Sequence, residues 1–123
     1  MLNNVVLVGR LTDNPQLVNT ESGAAVTSVV VAVQRTYKNA EGIYDTDFVK
    51  CILWNNMASN TAEYCRKGDI VGIKGRIQIN NYETEEGLKR QSTEVIAEKI
   101  TFLTAKGSRM KKENLSGKNK KNE

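Results

Sequence analysis

Residues 47–54 read Asp47-Phe48-Val49-Lys50-Cys51-Ile52-Leu53-Trp54, and this stretch decides the fold. β-Branched and aromatic residues dominate it, and Gly and Pro are absent, which is the composition of a β-strand. Successive side chains of a strand point to opposite faces. Val49, Cys51 and Leu53 therefore form one small apolar set fit for a core. Phe48, Lys50, Ile52 and Trp54 form the other, two aromatics with a cation among them. Two readings of that second face stand side by side. Either another element covers it, or it is exposed so that flat rings stack bases while the cation meets phosphates.

The strands around it extend the pattern. Val5–Leu11 is a first strand, apolar on both faces up to Arg10, so core covers one face and a partner subunit is a candidate for the other. Gly9 within it marks a bulge or bend of the kind small barrels need at corners. Thr12-Asp13-Asn14-Pro15 is a turn, residues 16–20 a short strand, and Glu21-Ser22-Gly23 a second turn. Residues 25–37 form the longest β run, apolar in the middle and polar at its far end, with Arg35 and Tyr37 on one set. Such a strand curls around a barrel and serves both ends. A polar loop, residues 38–42, leads into the organising strand.

Residues 55–67 are the one helical candidate. Ala58, Thr61, Ala62 and Cys65 recur at helical spacing, Arg66 and Lys67 fall in the last turn, and Gly68 follows as a C-cap. Residues 69–79 form a fourth strand, with Val71, Ile73, Gly75, Ile77 and Ile79 on one side and Lys74 and Arg76 on the other. A long polar hairpin, residues 80–92, carries Tyr82. Residues 93–103 form the fifth strand, with Ile96, Ile100 and Phe102 expected on one side.

Composition limits the function. The 123 residues suffice for one core. No histidine is present, which removes the commonest general base, and the two cysteines have neither zinc-site nor CxxC spacing. They read as buried thiols. No nucleophile-elbow, P-loop or HExxH pattern occurs, so an enzyme is not expected and no metal or cofactor is implied. No apolar run is long enough to span a membrane, and Met1-Leu2-Asn3-Asn4 does not open a signal peptide, which places the chain in the cytoplasm. Net charge is +4. From Lys106 onward seven Lys and Arg stand against two Glu, a net +5, so the preceding residues carry −1. Binding in the globular part must therefore come from local clusters of cations rather than from bulk charge. Residues 105–123 have the composition of a disordered basic tail.

Five strands, one helix between the third and fourth, and a long hairpin between the fourth and fifth describe an all-β, five-stranded OB-fold barrel over residues 1–104. In that fold the second and third strands and the first and fourth loops bind oligonucleotides or oligosaccharides. Tyr37, Phe48, Trp54 and Tyr82 lie on those elements as stacking candidates, and Arg10, Arg35, Lys50, Lys74 and Arg76 supply cations. Phe48 also has a core reading, beside the helix.

The chain resembles bacterial-type single-stranded DNA-binding proteins. The residues that carry the resemblance are Asn4–Leu11, Gly23–Val26, Asp47–Val49, Ala62–Asp69, Val71–Ile77 and Thr93–Val95, in order over residues 1 to about 104. The resemblance implies a domain that wraps single-stranded DNA with little sequence preference. It implies assembly, most often as a homotetramer with the first strand in the dimer interface. It also implies bases stacked at the positions of Tyr37, Phe48, Trp54 and Tyr82, and roles in replication, recombination and repair. Housekeeping members end in a Gly/Gln/Pro-rich linker and an acidic, Phe-terminated tip that recruits replication enzymes. Here Lys120-Lys121-Asn122-Glu123 stands instead, which argues against recruitment through such a tip and for a plasmid- or phage-encoded copy. The alternative from another class is an OB-fold protein-interaction subunit of a replication assembly, whose aromatic face meets a protein. An OB module that prefers structured RNA or duplex DNA would keep the same barrel.

Overall fold

The computed structural model describes residues 1–103; the expected basic tail lies outside the described residues. The elements run β1 (Val5–Leu11), β2 (Val18–Asn19), β3 (Ala25–Lys38), β4 (Tyr44–Trp54), α1 (Asn55–Tyr64), β5 (Ile70–Glu83) and β6 (Lys89–Phe102). The sheet order is β1-β5-β6-β4-β3, and β1 pairs again with β3, which closes the barrel; β2 is a two-residue addition on β3. All pairings are antiparallel except β4 with β6, which run parallel through Cys51–Val95 and Ile52–Ile96. This is the expected OB-type barrel.

Alternation builds the core. Cys51 and Leu53 of β4 meet Val29 and Thr27 of β3 across the ladder, and Leu11, Val31, Val71, Ile73, Val95 and Ala97 complete the interior. Closure brings backbones very close at two glycines. A Cβ on Gly9, where β1 leaves β5 for β3, would overlap the Ala32 carbonyl and approach Val31 Cγ1 to 2.8 Å. A Cβ on Gly75 would overlap the Ile96 carbonyl. The bend expected at Gly9 is thus a close strand crossing.

Three differences from the sequence reading have physical causes. The helix stops at Tyr64, and Cys65 is extended at φ −109°, so Arg66 and Lys67 lie beyond it. Gly68, at φ +91°, instead serves the turn in which the Asp69 amide donates to the Arg66 carbonyl. Arg66 still serves the helix end, its Nη1 donating to the carbonyls of Ala62, Glu63 and Cys65 at 3.2, 3.3 and 2.7 Å. Secondly, β5 and β6 continue into the polar hairpin as a paired ribbon up to Glu83–Lys89. Thirdly, the register of that pair slips between Lys74 and Gly75, so Glu98 is an extra residue on β6. An extra residue reverses which face later side chains take. Val95 and Ala97 therefore point inward before the slip and Ile100 and Phe102 after it, while Ile96 pairs with Ile52 on the outer wall.

One loop chemistry is used three times. In Thr20–Ala24, Asn39–Ile43 and Thr84–Leu88 the first amide donates to the fifth carbonyl at 2.8 Å, and the glycine amide donates to the first carbonyl. The first side-chain oxygen accepts from the fifth amide at 3.0–3.1 Å in each. Gly23, Gly42 and Gly87 hold the left-handed position with φ of 81–90°.

Candidate nucleic-acid interface

The outer wall is assembled by register. Trp54, Ile52, Lys50 and Phe48 on β4 stand opposite Val26, Ser28, Val30 and Ala32 on β3. Ala32 also stands opposite Arg10 of β1, which carries the row Arg10–Ala32–Phe48 across three strands. On the other side Ile52 pairs with Ile96 and Ile96 with Arg76, so Ser28–Ile52–Ile96–Arg76 crosses four. Alternation along β5 then places Gln78, Asn80 and Tyr82 on the same wall as Arg76. Phe48 is 67% exposed, Trp54 40% and Tyr82 53%. These three rings are on the wall and not in the core, which closes the core reading of Phe48.

Trp54 is held at a corner. It ends β4 in extended conformation, and Asn55 turns the chain into α1 at φ +58°, a left-handed conformation that Asn tolerates better than most residues. Val26 stands opposite it across the ladder, with Ser28 next on the same face of β3. Tyr37 is 64% exposed, but it sits where the β3–β4 register jumps between Gln34 and Lys38, so the alternation that places Phe48 and Trp54 does not extend to it.

The five cations differ in what they already hold. Arg10 Nη1 donates to the Gly68 carbonyl at 2.9 Å, and Arg76 Nη1 donates to Gln78 Oε1 at 3.1 Å; neither partner is charged. Lys50 Nζ lies 3.1 Å from Glu94 Oε2, and Lys74 Nζ 3.4 Å from Glu98 Oε1. Arg35 grips Asp47 through Nε at 3.1 Å and Nη2 at 2.9 Å, with Asp45 at 3.9 Å. That grip raises the Arg35 guanidinium above its ordinary range and lowers the Asp47 carboxyl below its own, the hydrogen bonds being the largest cause of each. Asp47 faces Val33 in the core-side set, so Arg35 stands off the aromatic wall. Lys74 has Val6 of β1 and Lys99 of β6 as cross-strand neighbours, on a sector that also carries exposed Val6 and Val8.

Two contributors were missed in the sequence. Tyr44 belongs to the same alternation set as Phe48, with Lys38 Nζ 5.6 Å from its ring centroid. Continuing the alternation upstream through Thr46 would have reached it. Arg90 stands directly opposite Tyr82 in the ribbon, and the two share an open cavity of about 690 Å³ with Lys89 and Gln91. That pairing needs the hairpin register, which the polar sequence conceals. Among the described residues no group of three or more His, Cys, Asp or Glu side chains could hold a metal ion, and no helix is long and apolar enough to cross a membrane. Burial pushes the Cys51 thiol up to about 11.

Fold and wall together define an OB-type barrel with an exposed aromatic sheet face and cations set around it. The chain belongs to the Single-strand binding protein family, whose model matches residues 2–103. It is 51% identical over 106 residues to Single-stranded DNA-binding protein B of Bacillus subtilis, covering 86% of this chain and 94% of that one. It is 43% identical over 106 residues to Single-stranded DNA-binding protein 3 of Listeria innocua, covering 86% of this chain and 66% of that one. It is 46% identical over 108 residues to the Single-stranded DNA-binding protein of Oceanobacillus iheyensis, covering 88% and 67%.

Proposed function

We propose that this protein binds and protects single-stranded DNA without reading its sequence, in replication, recombination and repair. The observation that carries this is the outer wall, where Phe48, Trp54 and Tyr82 are exposed on one barrel face with Arg10 and Arg76 at its margins. Bases stack on the rings at roughly 1–3 kcal/mol each, and cations track the phosphates. Every base has a π-face, so the wall is sequence-tolerant. Duplex DNA hides those faces and is excluded. The action is binding alone, with no catalysis and no cofactor. Tyr37 and Arg90 extend the path over the β3–β4 end and the ribbon; Lys74 and Arg35 reach the strand from their exposed ion pairs, and Lys50 lies under it, paired with Glu94. We place the protein in the cytoplasm, as a homotetramer in which Val6 and Val8 of β1 are covered by another copy.

Anisotropy of labelled oligo(dT), with duplex competitor, tests the reading. Binding should resist duplex and weaken steeply with salt. Equal competition by duplex would overturn it. Light scattering on the parent and on Val6→Asp tests the assembly. The parent should have four times the chain mass and the variant less. A monomeric parent would refute the tetramer.

A further inference from the structure

Five polar side chains cross the aromatic wall in one hydrogen-bonded line. Lys50 Nζ contacts Glu94 Oε2 at 3.1 Å, and Asn80 Nδ2 donates to Glu94 Oε1 at 2.6 Å. Gln78 Nε2 donates to Asn80 Oδ1 at 3.2 Å, and Arg76 Nη1 donates to Gln78 Oε1 at 3.1 Å. The direction of the line is fixed from both ends. Glu94 can only accept and Arg76 can only donate, so the two amides between them have a single orientation that satisfies every bond. Glu94 is 8% exposed, an acid nearly buried in the middle of a surface meant for a polyanion. A buried charge persists only when paired and hydrogen-bonded.

We infer that Glu94 is a positioning residue that locks Lys50 flat on the sheet and cancels its charge, so that Lys50 is floor for bases and not a phosphate contact. The inference rests on the single-strand reading above. Its physical basis is the burial of the acid: the Lys50 side chain is 47% exposed, but that of Glu94 is only 10% exposed, against 47% for Glu98 in the Lys74 pair. Moving Lys50 to a phosphate would strand a buried carboxylate, a loss that a solvent-exposed phosphate contact does not repay. Lys74 and Glu98 are both about half exposed, so that lysine is free to exchange partners. Lys50 sits between Phe48 and Ile52 on its strand, so a raised, mobile ammonium there would sit where bases stack. Held down, it leaves a level surface between Phe48 and Trp54. Phosphate contact falls to Arg76, Arg10 and the ribbon.

The dependence of oligo(dT) affinity on salt separates the two roles, because each phosphate neutralised on a single strand adds about 0.7 to the slope of log K against log salt. Glu94→Gln frees Lys50 and should steepen the slope by about 0.7 and tighten binding at low salt. Lys50→Met combined with Glu94→Gln should return the slope to the parent's. Lys50→Met alone unpairs the Glu94 carboxylate; it should weaken binding most at low salt and flatten the slope, and adding Glu94→Gln should undo that flattening. Comparing Lys50→Met with the double variant carries the test even where Glu94→Gln alone does not fold. A slope that stays flattened by about 0.7 in the Lys50→Met, Glu94→Gln double variant, or an unchanged slope in folded Glu94→Gln, overturns the inference while leaving the single-strand reading intact. A parent with no salt-sensitive oligo(dT) binding overturns both.

Discussion

Phe48 shows how one side chain separates binding from folding. It is mostly exposed and faces only Ala32 across the ladder, so Phe48→Ala should leave thermal stability near the parent's. Oligo(dT) affinity should fall by roughly 1–3 kcal/mol, the worth of one stacked base. Equal losses in both would mean the ring is structural. Thr27 is the opposite case. Its hydroxyl is buried without a hydrogen-bond partner among the described residues. Thr27→Val keeps the shape and removes that desolvated group, so it should raise unfolding free energy by about 1 kcal/mol in a denaturant titration. Both thiols are buried, and Cys51 is raised to about 11, so neither should react with a thiol reagent at neutral pH until denaturant is added. At this scale the sequence was informative about direction. Alternation in 47–54 separated Phe48 and Trp54 from Cys51 and Leu53 correctly. It could not show that Lys50 faces Glu94 or Arg35 faces Asp47, because those acids arrive through strand register.

Among the elements, the β5–β6 ribbon was the hardest to read. Up to Gly75 β5 alternates cleanly in burial, but Ile77 and Ile79, apolar in the sequence, are already 44% and 47% exposed. Beyond them the hydrophobic period disappears although pairing continues to Glu83–Lys89. The slip at Gly75 was equally hidden, since nothing in residues 96–102 marks Glu98 as the extra residue. Gly75 itself gives a sharp test. Gly75→Ala forces a Cβ onto the Ile96 carbonyl and should cost about 3 kcal/mol. Gly72→Ala, whose nearest neighbour is 3.8 Å away, should be tolerated. The β3–β4 end carries a pH dependence with a definite sign. Arg35 holds the folded Asp47 pKa below its unfolded value, so this contribution is present above the ordinary carboxylate range and is lost as pH falls through the lowered value. Asp47→Asn should therefore lower the melting temperature slightly at neutral pH, with the gap from the parent closing in strong acid. The pair is exposed, so the effect is small.

At the scale of the whole molecule, the barrel was legible because closure follows from strand count, one crossover helix and a glycine where β1 must pass close to β3. The exposed valines of β1 follow from the same strand, apolar on both faces while a single barrel can cover only one. If the protein binds single strands as proposed, the wall around Trp54 receives a base. Trp54 is the only tryptophan, so its fluorescence reports that site alone. Titration with oligo(dT) at two salt concentrations, with duplex DNA as control, should quench it strongly, less at high salt, and not with duplex. An unchanged signal, or an equal response to duplex, would contradict the claim and turn the aromatic wall into a surface for a protein partner.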